Sequence, residues 1–245
     1  MSAPAIITPA GGFHNADLKS TATRLLRGQG YRDCSTVCVM PLHPKRAGIH
    51  PRVVQSWMSL MLPMNQKFTR LFLTDMEVGE AYTAAVEMIL ANPELSTWKY
   101  LLTLEDDNLP PPDGLLKLIE SIEAGSYAAV GGLYFTKGPG GQPMIYGDPT
   151  VMPRNFLPQV PVPNAVQPCN GLGMGFTLFR LSLFRDTRIS RPWFKTMQEV
   201  VAGGGARSFT QDLYFFNNAC GAGHHFASDN RVLVGHFSEE DNLVW

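Results

Sequence analysis

The chain has 245 residues, 44% of them hydrophobic, and a net charge of −1. That length supports one sizeable core, and the near-neutral charge gives no support to tight duplex binding, which calls for a broad basic surface. The longest apolar runs, such as Val37 to Leu42 and Tyr127 to Phe135, fall far short of the roughly 20 residues that cross a bilayer, so no membrane span is expected.

Met1 to Gly12 lacks both a charged n-region and an apolar h-region, so a cytoplasmic location is expected. There Cys34, Cys38, Cys169 and Cys220 would stay as thiols. The Cys34/Cys38 pair has no second half at zinc-finger spacing and lies in a run with the character of a buried strand, which favours a structural role. From Lys19 to Arg52 seven Lys/Arg face one acid, Asp33; such a segment meets a diphosphate, a nucleic acid or simply solvent. Residues 1–34 are expected to form an N-terminal arm before a domain over 35–245.

Ser35 to Pro41 is short, β-branched and apolar, as a buried strand should be. Pro51 to Leu62 places Val53, Val54, Trp57, Leu60 and Met61 at helical spacing, with Pro63 as a stop. Phe68 to Thr74 alternates as a strand, Val78 to Leu90 carries a helical stripe, and Lys99 to Leu104 is a third strand that runs into Glu105-Asp106-Asp107. Asp113 is expected to cap a helix over Leu115 to Ala124, and Ala128 to Phe135 reads as another strand. Thr136 to Pro168 is rich in Gly and Pro and suits hairpins and loops. Phe176 to Arg180 is strand-like, Gln211 to Ala222 helical, and Arg231 to Phe237 a last strand; Gly203-Gly204-Gly205 marks a loop. Strands alternating with helices in this way predict an α/β fold with a mainly parallel central sheet and helices on both faces. In such sheets ligands gather beyond the carboxyl ends of the strands, which is where the acid cluster falls.

Three adjacent carboxylates repel one another unless a cation or hydrogen bonds offset the repulsion. Oxygen ligands favour Mg2+ or Mn2+, which also bridges the phosphates of a nucleotide diphosphate; the plain alternative is a charged loop capping a helix. Asp212 is either a first-turn acid favoured by the helix dipole or a general base. His236 ends an apolar run, a place where a single histidine is more often a packed or surface residue than a ligand. Asn170 to Phe176 has glycines at alternate positions, which permit close approach of backbone to a ligand but do not make a dinucleotide fingerprint, and no G-x4-G-K-[S/T] loop is present. Trp193 and Phe194 either stack on a ligand or pack onto the domain. Paired carboxylates also hydrolyse glycosides without metal or nucleotide.

The acids at Glu105 to Asp107, the glycine-rich Gly171 to Gly175, Thr210-Gln211-Asp212 and the C-terminal His236, in this order and spacing, resemble the GT-A fold glycosyltransferases, especially the family-2 type of stand-alone bacterial and phage enzymes. The resemblance spans about Ser35 to Phe237 and implies a single Rossmann-like domain, with a donor half over about 35–135 and an acceptor half over about 136–245. It implies transfer from a nucleotide-diphosphate sugar, UDP-sugar foremost, to an acceptor hydroxyl on a protein, glycan, lipid or modified DNA base. By it, Asp107 and His236 ligate Mn2+ or Mg2+, and Asp212 is the base of an inverting displacement. Pro41, His43, Asp75, Glu105 and Asp106 then contact the donor; Gly171, Leu172, Gly173 and Trp193 lie on the acceptor side. The chain departs from the pattern in reading Glu-Asp-Asp for Asp-x-Asp, in Gln211 before Asp212, in lacking Q-x-x-R-W, and in having no arginine near Ala81-Tyr82. Lys137, Arg46 or Lys45 would then meet the phosphates. A nucleotidyltransferase on a similar scaffold, or an inactive nucleotide- or glycan-binding module, are the alternatives.

Overall fold

The computed structural model describes residues 32–42, 48–200 and 206–245. His43, Lys45, Arg46, the Gly203-Gly204-Gly205 loop and nearly all of the N-terminal arm lie outside the described residues.

Strand β1 (Thr36–Pro41) is buried at all six positions, as a strand covered on both faces must be. Cys38 at its centre is wholly enclosed, and burial pushes its thiol up to about 12, which leaves it an inert packing group. Helix α1 (Pro51–Ser59) follows, with proline in its first turn and His50 accepting from the Arg52 amide. It ends short of the expected Leu62 because Leu60 turns extended and the Met61 N–H donates to the Pro112 carbonyl at 2.7 Å. Strand β2 (Phe68–Leu73) returns parallel to β1. Helix α2 (Val78–Ala91) is capped by Glu77, whose carboxylate accepts from the Gly79 and Glu80 amides, and strand β3 (Tyr100–Leu104) lies parallel to β1 on its other side.

The chain continues through β4 (Asn108–Leu109), α3 (Gly114–Ala124), β5 (Ala129–Leu133), β6 (Ile145–Tyr146), β7 (Val166–Cys169), β8 (Gly171–Leu172) and β9 (Phe176–Arg180). The hairpin strands β10 (Met197–Val200) and β11 (Ala206–Phe209) precede α4 (Gln211–Gly221), β12 (Phe226–Leu233), β13 (Gly235–Ser238) and β14 (Leu243–Val244). Seven strands form the central sheet in the order β2-β1-β3-β9-β5-β12-β7. Only β9 and β7 oppose the common direction, so the mainly parallel α/β sheet expected from the sequence is observed. Helices cover both faces. Tyr82, Val86 and Ile89 of α2 join Phe215, Phe216 and Ala219 of α4 on one side; Val53 and Trp57 of α1 join Leu115, Leu118 and Ile122 of α3 on the other. No helix of the described residues is long and apolar enough to cross a membrane.

Two local expectations are corrected. Asp113 occupies the N-cap position of α3 but makes no side-chain cap bond; its carboxylate instead pairs with Lys117 at 2.8 Å, one helical turn on. The last central strand begins at Phe226 rather than Arg231, and Gly235 to Ser238 belongs to a separate small sheet. The polar run Ser228-Asp229-Asn230-Arg231 conceals that strand. Ser228, Asp229 and Asn230 are buried yet bonded, Asp229 to Ser121 and the half-buried Arg231, and Asn230 to Ser228 and Gln167, which offsets the cost of enclosing them.

Candidate active site

The acid cluster turns sharply at the carboxyl end of β3 and is held from both sides. The Glu105 N–H donates to the Gly175 carbonyl at 3.2 Å, and the Asn108 N–H donates back to the Glu105 carbonyl at 3.2 Å. The Phe237 N–H donates to the Asp107 carbonyl at 2.7 Å, and β4 pairs with β13 so that His236 faces Asn108. This small antiparallel ladder brings His236, far along the chain, beside Asp107.

Among the described residues, Lys137 Nζ lies 2.6 Å and His236 Nε2 3.6 Å from Asp107 Oδ2. Burial alone would raise the Asp107 carboxyl, but hydrogen bonding and charge from His236 and Lys137 outweigh it and hold the group well below the usual carboxylate range. His236 Nδ1 lies 2.8 Å from the Phe135 carbonyl. A carbonyl only accepts, so Nδ1 carries a hydrogen and Nε2 is the nitrogen left to face Asp107. Tyr134 meets the imidazole edge-on, with centroids 5.5 Å apart.

Glu105 sits deeper. Burial first, then the charges of Asp107, Asp212 and Asp106, push its carboxyl up to about 8, against the opposing hydrogen bond from the Tyr82 hydroxyl at 3.1 Å. Asp212 thus belongs to the same acid field, although it arrives on the first turn of α4. It is only 5% exposed, accepts from the Leu213 N–H at 2.8 Å and from the Thr210 hydroxyl, and burial raises its carboxyl. Pro41 ends β1, buried; Asp75, exposed and in the left-handed region at φ 61°, follows β2. Asp106 is buried within the acid turn.

The residues expected on the acceptor side lie inside the fold. Gly171, Leu172 and Gly173 are buried, and their spacing answers to packing within the protein. A Cβ on Gly171 would meet the Phe156 ring at 3.1 Å, one on Gly173 would strike the Tyr134 hydroxyl, and one on Gly175 would strike the Asn108 amide. Trp193 is 1% exposed, edge-on to Phe184 and covered by the Arg191 guanidinium 4.5 Å from its ring, so it packs the core and offers no stacking face.

Sequence reasoning missed Tyr82, Tyr134 and Asn108. Tyr82 lies on the apolar stripe of α2 and Tyr134 follows a buried strand, so pattern alone reads both as core. The Asn108 side chain is fully enclosed and its amide makes no hydrogen bond among the described residues, at a cost of about 1–3 kcal/mol. Only its adjacency to the acids could have drawn attention to it.

Asp107 and His236 are the residues that could hold a divalent cation. The Asp107 carboxylate oxygen and the His236 imidazole nitrogen lie 3.6 Å apart, and the Phe135 carbonyl orients the imidazole as histidine ligands are normally oriented. No cluster of three or more His, Cys, Asp or Glu suited to a metal occurs among the described residues.

No family model matches the chain, and no curated protein matches it. Among solved structures, A197 from STIV superposes with a TM-score of 0.56 at 19% identity, covering 86% of this chain and 92% of that one. GalNAc-T7, solved with UDP, GalNAc and Mn2+, gives a TM-score of 0.54 at 11% identity over 85% of this chain. The fold is glycosyltransferase-like, of GT-A type. The chain spans 45% of the GalNAc-T7 chain, so what is shared is the scaffold.

Proposed function

We propose that this chain is a metal-dependent glycosyltransferase that moves a sugar from a nucleotide-diphosphate sugar, UDP-sugar foremost, to an acceptor hydroxyl with inversion. The observation that carries this reading is the convergence of Asp107, His236 and Lys137 with Glu105 and the buried Asp212 at the carboxyl edge of a GT-A-like sheet. Asp107 and His236 hold Mn2+ or Mg2+, which when bound supplies Lewis-acid stabilisation to the departing diphosphate. Lys137 adds a positive charge where the diphosphate gains negative charge. Glu105 and Asp106 contact the ribose or the sugar, and Pro41 and Asp75 border the nucleotide base. The UDP preference draws support from GalNAc-T7, whose structure holds UDP and Mn2+.

Asp212 is the base. Burial raises its proton affinity, which brings a carboxylate nearer to the range where it can draw a proton from an attacking hydroxyl. Its bond from the Leu213 N–H fixes one oxygen. The acceptor enters from the side of 136–168, where loops on a rigid scaffold carry specificity.

Water can stand in for the acceptor, which allows a test with donor alone. With Mn2+ and α-linked UDP-sugars, NMR of the first turnovers reads the anomer released before it equilibrates. The reading predicts the β anomer, and Asp212→Asn should slow its release by about a hundredfold. Release of the α anomer would overturn the inverting mechanism and the role of Asp212.

A further inference from the structure

Lys137 Nζ and His236 Nε2 address the same oxygen, Asp107 Oδ2, at 2.6 Å and 3.6 Å. An ammonium hydrogen-bonded to that oxygen and a divalent cation held by it would be like charges in near contact, an arrangement that a partly enclosed site penalises heavily. One of them must leave. His236 is anchored by the Phe135 carbonyl and by its place in β13, whereas Lys137 rides on a short loop closed at its base. Thr136 and Gln142 close that base, through the Thr136 N–H to the Gln142 carbonyl and the Gln142 N–H to the Thr136 hydroxyl, both at 2.9 Å. Its tip bears Gly138 and Gly140 at φ 99° and 76°, where an added Cβ would meet nothing within 4 Å. The lysine stem is itself a flexible four-carbon tether.

We propose that Lys137 is an exchangeable placeholder: its ammonium occupies Asp107 until a divalent cation arrives, and then transfers to the diphosphate that accompanies the cation. Resting on the metal assignment above, this makes donor and metal loading mutually dependent. The cation frees the lysine for the phosphates, and the phosphates stabilise the lysine in its displaced position, so each ligand favours the other. Before loading, the ion pair offsets part of the cost of enclosing the Asp107 carboxylate.

The test uses the full chain and Mn2+ alone, followed by the loss of the free Mn2+ EPR signal, with UDP titrated separately at saturating Mn2+. Lys137→Met keeps the stem and removes the charge. It should bind Mn2+ about tenfold more tightly than wild type, or about 1.4 kcal/mol, while binding UDP more weakly by a similar factor. Lys137→Arg, which keeps the charge, should stay near wild type in both. Mn2+ affinity unchanged or weakened in Lys137→Met would overturn the exchange while leaving the metal site standing. An absence of Mn2+ binding in both wild type and Lys137→Met would overturn the exchange together with the metal assignment beneath it.

Discussion

Replacing Gly173 by alanine separates a packing role from a ligand-facing one, because the two predict opposite signs. In an unconstrained position the change would stabilise the fold by about 0.4–1 kcal/mol through a stiffer unfolded chain. Here the new Cβ would strike the Tyr134 hydroxyl and stand 2.7 Å from Cζ of the ring and 3.0 Å from Met144 Cε. Tyr134 is buried and accepts the Gly175 N–H at 2.9 Å, so the ring cannot move aside without leaving that donor unpaired. Overpacking costs about 1–3 kcal/mol, and an orphaned buried amide about 1–3 kcal/mol more, for an expected loss of about 2–6 kcal/mol. Tyr134→Phe alone should cost about 1–3 kcal/mol. In the double variant the struck hydroxyl is gone, so the losses should fall short of additive by about 1 kcal/mol or more. Urea unfolding of the four proteins in this cycle measures each term. A Gly173→Ala chain within about 0.5 kcal/mol of wild type, or strictly additive losses, would refute the packing explanation.

Other outcomes follow from the same geometry. Because burial raises Glu105 to about 8 from an ordinary 4.5, the native state binds the extra proton between those values. Glu105 therefore contributes stability that is complete below pH about 4.5 and lost as pH rises through about 8; a denaturation series over that range should show the decline and Glu105→Gln should flatten it, whereas equal slopes would contradict the burial. Trp193→Ala should cost about 3–5 kcal/mol in urea unfolding, as loss of a large core side chain does, and a near-silent substitution would return Trp193 to the surface. Asp107→Asn and His236→Ala should each lower UDP release from the donor by about a hundredfold or more while leaving the circular dichroism melt near that of wild type; full turnover in either variant would remove it from the site.

The sheet was legible where burial and apolar character coincide. Thr36–Pro41 and Tyr100–Leu104 read directly as enclosed strands, and the stripe of Ala81, Ala85 and Ile89 reads as a helix face. The acid cluster was placed correctly at a strand end because βα connections put such loops there. Legibility failed where polar residues are buried with partners far along the chain: Asp229 is silent in sequence because Ser121 and Arg231 satisfy it. It failed again at the glycines. Alternate glycines signal close approach of something to the backbone, and only the fold reveals that Phe156, Tyr134 and Asn108 are what approach. Trp193 was ambiguous for a related reason, since the stretch from Arg191 to Lys195 has charged ends but Trp193 a core address. The joining of Asp107, Lys137 and His236 depends on the β4–β13 ladder and the Thr136–Gln142 loop, neither of which has a periodic signature.

The most direct test of a metal-assisted nucleotide-sugar site at Asp107 is a thermal unfolding measurement with UDP, with and without Mn2+, on wild type and Asp107→Asn. At a hundredfold excess over Kd a ligand of the native state adds about 2.7 kcal/mol, which for a chain of this size raises the Tm by about 5–10 °C. The account predicts that rise for wild type with UDP and Mn2+ together, little with UDP alone, and none for Asp107→Asn. No rise in wild type, or an equal rise without Mn2+ and in Asp107→Asn, would contradict it.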